Sequence, residues 1–207
     1  MAQKLLLRYN ERERMNHWVI ALFFVLAGLS GLAFFHPAFF FLANLFGGGP
    51  WARILHPFLG VVMFVSFLGL FVKLWRDNVL NDADREWRRH SGDMLRGDKS
   101  KMPPVGKYNA GQKGVFWMMA GSLLVLLVTG IVFWQPWFSP YFSIPLGRAA
   151  VLLHAIAAVV LILATVMHVY AAIWVKGTVR AMTRGTVTES WAKQHHALWH
   201  REMTGGK

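Results

Sequence analysis

Four runs of almost unbroken apolar residues divide the chain, at about 18–35, 54–75, 115–134 and 149–175. Each is close to the roughly 20 residues that a helix needs to cross a hydrocarbon core about 30 Å thick. Polar and charged positions collect instead in the N-terminal segment, in a loop over 76–114 and in a tail over 176–207. The pattern predicts an all-α integral membrane protein, a single membrane domain over 1–207 built as a four-transmembrane-helix bundle. The last run is the longest, about 40 Å as a helix, and is expected to tilt or to emerge beyond the bilayer. The N-terminus, MAQKLLLRYNERERMNHW, has only three leucines between charges and no small-residue cleavage site, so the first run reads as an uncleaved anchor.

Charge sets an orientation on this pattern. Lys and Arg total 22 against 10 Asp and Glu, for a formal net charge of +12. Four cations precede the first run, ten lie between Lys73 and Lys113, and six follow from Lys176, whereas the other two loops contribute only Arg53 and Arg148. Every acidic residue falls on the cation-rich side as well. By the positive-inside rule both termini and the central loop are cytoplasmic, with the membrane crossed several times. A chain that is 55% hydrophobic does not read as a nucleic-acid binder, so the charge is topology. Indoles at Trp18, Trp75, Trp117 and Trp174 mark the inner edge, and Trp51, Trp134 and Trp137 the outer.

The candidate chemistry is carried by histidine. There is no cysteine, which excludes disulfides, iron–sulfur ligation and covalent haem attachment. No Asp, Glu, Lys or Arg lies deep in a span, but His17, His56, His154 and His168 fall in or at the edge of spans. An ionisable group there is costly and marks function. His17 opens the first span at the inner edge and His56 the second at the outer edge. His154 is near the outer end of the fourth span, and His168 lies about 21 Å further in and within about 40° of the same face. The heights therefore pair His168 with His17 and His154 with His56; a different bundle order would exchange the partners. Two bis-histidine sites stacked in a four-helix bundle suit two non-covalent b haems.

Several other residues fit that picture without deciding it. Gly28, Ser30, Gly31, Gly60 and Gly130 would admit either a flat macrocycle or a neighbouring backbone. Pro57 suggests that His56 stands in the first turn of a helix. Arg53 and Arg148 are candidates for haem propionates or for interface anchoring. Met15, Met63, Met118, Met119 and Met167 read as core filler. His195, His196 and His200, with Trp191, Lys193 and Arg201, suggest an amphipathic tail helix lying on lipid headgroups or a partner, ahead of a metal site. Asn109, Gly111 and Gln112 offer neutral hydrogen-bonding groups suited to the carbonyls of a quinone.

The blocks His17-Trp18, RILHPFLG at 53–60, VGKYNAGQK at 105–113, LLVTGI at 126–131, LLHA at 152–155, HVYAAIWVKG at 168–177 and WAKQHH at 191–196 together resemble the cytochrome b (gamma) subunit of membrane-bound bacterial formate dehydrogenases. The resemblance covers nearly the whole chain. It implies two b haems held at His17, His56, His154 and His168, and a menaquinone or ubiquinone site at Asn109, Gly111, Gln112 and His168. It implies an iron–sulfur (beta) partner and a molybdenum or tungsten (alpha) partner where formate is oxidised, in a heterotrimer that can form a higher oligomer. A cytochrome b of a nickel–iron hydrogenase or related periplasmic reductase shares the four-span histidine design. A haem-free membrane anchor or small-solute transporter is the alternative of another class.

Overall fold

The computed structural model describes residues 4–96 and 102–205. Lys99, Lys101 and Lys207, which belong to the positive charge counted above, lie outside the described residues. In chain order the elements are strand β1 (Leu5–Leu7) and helices α1 (Glu11–Phe35), α2 (Gly49–Leu74), α3 (Asp82–Arg89), α4 (Ser91–Leu95), α5 (Ala110–Phe133), α6 (Ile144–Trp174) and α7 (Thr178–Arg184), then strand β2 (Thr186–Thr188) and helices α8 (Glu189–His195) and α9 (Ala197–Thr204). A 3-10 helix, Pro37–Phe46, joins α1 to α2. Helices α1, α2, α5 and α6 are long and apolar enough to cross a membrane. Among the described residues the departure from an all-helical fold is the two-stranded ribbon of β1 and β2.

Asparagine caps explain why two of the long helices begin before their apolar runs. The backbone N–H of Asn10 donates to Glu13 Oε2 at 2.7 Å, and the N–H of Glu13 donates to Asn10 Oδ1 at 2.9 Å. This reciprocal box satisfies two otherwise unpaired donors and starts α1 at Glu11. Asn109 and Gln112 form the same box for α5, at 3.0 and 2.9 Å, and Asn81 and Asp84 form it for α3. Helix α2 starts at Gly49, with Pro50 in its first turn, where a missing N–H costs nothing. The sequence expectation for Pro57 is thereby corrected, because Pro57 lies inside α2 and not at its start. Its absent N–H leaves the Arg53 carbonyl without the usual helical donor.

The chain forms two compact units. One comprises residues 15–72 and 118–166, and its core is the cluster of Ala27, Met63, Phe67, Leu123 and Leu161. Large apolar side chains such as Leu22, Val65 and Leu163 point outward, the surface a helix presents to lipid.

The other unit comprises the N-terminal segment to Arg14, residues 73–117 and residues from Met167. There β1 pairs antiparallel with β2, Leu6 opposite Val187, and both bury with Tyr9, Ala181, Trp191, Ala192 and Trp199. Gly185 makes the turn possible: it has φ +79°, and a Cβ there would meet the Tyr9 carbonyl at 2.6 Å. The tail expected as one solvated amphipathic helix is instead two short helices, α8 and α9, with Trp191, His196 and Trp199 buried. Pairing with β1, some 180 residues earlier in the chain, gives those aromatics an interior to enter.

Candidate functional site

Within the unit of residues 15–72 and 118–166, α1, α2, α5 and α6 line a partly open cavity of about 530 Å³ with mainly apolar walls. That size lies in the usual range of roughly 300–1,000 Å³ for small-molecule and cofactor sites. His56 and His154 line it, from α2 and α6. Their ring centroids are 6.2 Å apart with the planes at 69°, and Phe133 stands edge-on to His154 at 5.1 Å.

Each imidazole is held by a hydroxyl and a glycine that adjoin in sequence. Ser30 Oγ, fully buried, lies 2.9 Å from His56 Nδ1 and donates its proton to the Ala27 carbonyl at 3.0 Å. Thr129 Oγ1 lies 3.0 Å from His154 Nδ1 and donates to the Val125 carbonyl at 2.6 Å. A hydroxyl has one proton to give, so an oxygen that spends it on its own helix accepts from the ring. The following residue is glycine in both cases. A Cβ at Gly31 would approach His56 Cε1 to 3.0 Å, and one at Gly130 would approach His154 Cε1 to 3.4 Å.

The residues present fit a b haem. With Nδ1 donating on each ring, Nε2 would keep a lone pair free to bind iron. Imidazole–metal bonds of about 2 Å on either side of one ion would set two ring centres roughly 6 Å apart, which matches the observed separation. Gly28 and Gly60 also line the cavity, and a Cβ at either would meet nothing within 4 Å, so both leave open a space that a side chain would fill. Of the two propionate candidates, Arg53 is among the lining residues, while Arg148 is an exposed residue of the second turn of α6.

The other two histidines are placed differently. His17 stands in the second turn of α1, its ring edge-on to Trp18 at 5.3 Å. His168 is on α6, on the same unbroken helix as His154. Fourteen residues on one helix separate those two by about 21 Å.

Of the residues suggested for quinone, Asn109, Gly111 and Gln112 stand at the start of α5 and His168 on α6. Because Asn109 Oδ1 and Gln112 Oε1 are committed to the capping box, the groups each side chain offers outward are its amide N–H donors. Gly111 has a packing reason to be glycine: a Cβ would meet Trp87 Cη2 at 3.1 Å. Just beyond, Lys113 Nζ donates to Asp84 Oδ2 at 2.6 Å and to the Val79 carbonyl at 2.9 Å, fastening α3 to α5.

In the unit that holds residues 73–117, Arg8 is buried beneath an aromatic cage, its guanidinium 4.9 to 5.8 Å from the ring centroids of Trp199, Trp191, Tyr9 and Tyr108. It donates to the Lys107 carbonyl at 2.6 Å and faces His196 Nε2 at 3.4 Å. His196 Nδ1 lies 2.8 Å from the Gly106 carbonyl. Burial, with the Arg8 charge beside it, pushes the His196 pKa down to about 3, so the ring is neutral and accepts from Arg8. Among the described residues no group of three or more His, Asp or Glu side chains could hold a metal ion, and His200 Nε2 lies 3.2 Å from Glu189 Oε1.

Sequence reasoning read Ser30 only as a small residue that admits a macrocycle or a neighbouring backbone, Thr129 only as part of a longer block, and gave Trp87 no role. The signal for the first two was the repeated hydroxyl-then-glycine step inside apolar runs, LSGL at 29–32 and VTGI at 128–131.

The family model described as prokaryotic cytochrome b561 matches residues 8–185. The cytochrome b556(fdo) subunit of formate dehydrogenase from Escherichia coli (strain K12) is 46% identical over 198 residues, covering 96% of this chain and 93% of that protein. The nitrate-inducible formate dehydrogenase cytochrome b556(Fdn) subunit of the same strain is 40% identical over 200 residues, covering 97% and 92%. A formate dehydrogenase cytochrome b556 subunit from Haemophilus influenzae is 40% identical over 197 residues, covering 95% and 83%.

Proposed function

The chain belongs to the prokaryotic cytochrome b561 family, and on that premise we propose that it is the cytochrome b subunit of a bacterial formate dehydrogenase complex. In this reading it carries electrons from an iron–sulfur subunit on the periplasmic side, through two b haems, to menaquinone or ubiquinone on the cytoplasmic side. The observation that carries the proposal is the apolar cavity with His56 and His154 at 6.2 Å, each with its Nδ1 hydrogen-bonded. When bound, each haem would supply one-electron chemistry, with imidazoles of this chain to hold it.

His56 and His154 hold the periplasmic-side haem through Nε2, and Arg53 offers a guanidinium at the lining for a propionate. His17 and His168 hold the cytoplasmic-side haem, a pairing that rests on the fourteen-residue spacing along α6 and on the topology. The cations flanking the spans support this sidedness. Asn109 and Gln112 present amide N–H donors to a quinone carbonyl, with the Gly111 backbone and His168 completing the site. Reduction of a quinone to a quinol takes two electrons and two protons, and the protons come from the cytoplasm. An electron driven inward against an inside-negative potential stores about 2.3 kcal/mol per 100 mV, so the subunit forms half of a proton-motive redox loop.

Formate oxidation lies elsewhere, in a molybdenum or tungsten subunit reached through the iron–sulfur partner, because this chain has no cysteine to hold a cluster. The relatives described above are formate dehydrogenase subunits, which favours that complex over a nickel–iron hydrogenase. The test is the purified complex. Formate should reduce two low-spin b haems per copy of this chain and yield quinol in the membrane; a preparation without the α-band of reduced b haem contradicts the proposal.

A further inference from the structure

The two hydroxyl-then-glycine steps use different helices to treat different histidines in the same way. Ser30-Gly31 on α1 serves His56 on α2, and Thr129-Gly130 on α5 serves His154 on α6. In each, the glycine leaves room for Cε1 of the ring beside the helix, and the hydroxyl one residue earlier meets Nδ1 at 2.9 or 3.0 Å. Ordinary helix packing would account for a small residue beside each ring. It would not account for the same pair, in the same order, with the hydroxyl proton directed to a carbonyl three or four residues earlier in both helices.

We propose that Ser30-Gly31 and Thr129-Gly130 are matched tautomer locks, which hold the proton on Nδ1 of His56 and His154, aim each Nε2 at a shared iron, and set that iron's reduction potential. The proposal rests on the reading of His56 and His154 as ligands of one haem. A ligating imidazole commonly donates its other N–H to an acceptor that fixes its orientation and raises its basicity. Greater basicity favours the ferric state, so an acceptor on each ring lowers the potential of that haem, and second-shell hydrogen bonding is one of the levers a protein has on it. Ser30 and Thr129 are thus positioning residues: they act through the histidines and touch no reacting atom. Because the oxygens are neutral and already donate to their own helices, the locks tune the pair symmetrically without adding charge to an apolar cavity.

The test uses the intact complex carrying Ser30→Ala, Thr129→Ala, Ser30→Thr or Thr129→Ser, with haem content and the midpoint potential of each haem read by optical redox titration. Both alanine variants should raise the potential of one and the same haem and leave the other unmoved. Their effects should add in the double variant, and the Thr and Ser exchanges should restore the native value. Unshifted potentials with both haems retained, or shifts in different haems, overturn the proposal. If an alanine variant sheds haem, recovery of that haem in the corresponding Ser30→Thr or Thr129→Ser protein supports the lock, and failure to recover it counts against the lock. Failure of the underlying haem reading is distinct, since it would show as a native complex with no bis-histidine b haem to titrate.

Discussion

Lys113 Nζ and Asp84 Oδ2 lie 2.6 Å apart with side chains only 5% and 4% exposed, so the ion pair that joins α5 to α3 is sealed from water. Such a pair gives little net stability over an apolar replacement, but removing one member strands a charge in a dry site. Asp84→Asn is expected to destabilise this junction by about 3 kcal/mol, read as faster limited proteolysis between α3 and α5 at unchanged haem content. The double variant Asp84→Leu/Lys113→Met should recover most of the loss. Equal proteolysis of Asp84→Asn and native protein would show that the pair is not an essential fastening.

Asn109 serves two purposes that can be separated. Its Oδ1 caps α5, and its amide N–H groups are proposed to face quinone. Asp and Ser cap helices about as well as Asn does, yet Asp offers no N–H donor when ionised. Asn109→Asp should therefore keep haem content and thermal stability near native while quinol formation slows by tenfold or more, about 1.4 kcal/mol. Unchanged quinone kinetics would remove Asn109 from the site.

His196 makes the unit containing the tail sensitive to acid. Its pKa is lowered from 6.5 to about 3 by burial and by Arg8, with His195 adding to the effect and the Gly106 carbonyl opposing it. In the window between those values the unfolded chain binds a proton that the folded chain does not, so stability is complete above about pH 6.5 and declines as pH falls. At pH 5 the loss from this one group is about 2 kcal/mol. The melting midpoint of the complex should fall between pH 7 and pH 5, and His196→Gln should flatten that fall. An equal slope in the variant would place the acid sensitivity elsewhere.

The four spans were legible because a helix in water seldom carries an apolar run of membrane length. Their starts were less so, since hydropathy locates Trp18 and Val115 while the helices begin where Asn10 and Asn109 cap them. The spacing Asn-x-x-Glu, Asn-x-x-Asp or Asn-x-x-Gln was present at residues 10, 81 and 109 and carries that information locally. Pro57 misled because proline at a helix start is common, but Pro50 had already taken that position in α2. The buried tail was illegible for a different reason. Leu5–Leu7 and Thr186–Thr188 pair as β1 and β2, and no local periodicity announces a contact so distant in sequence. The histidines at 56 and 154 were found from topology alone, whereas their partners Ser30 and Thr129 became visible only once four helices were set around one cavity.

The central claim is that His56 and His154 hold one haem and that the other is held elsewhere. The measurement is the reduced-minus-oxidised spectrum and extractable haem of the complex carrying His56→Ala or His154→Ala. Each variant is predicted to lose half its haem, the same b haem by potential in both, while the remaining haem keeps its native potential. Full haem content in either variant, or loss of a different haem in each, would contradict the account.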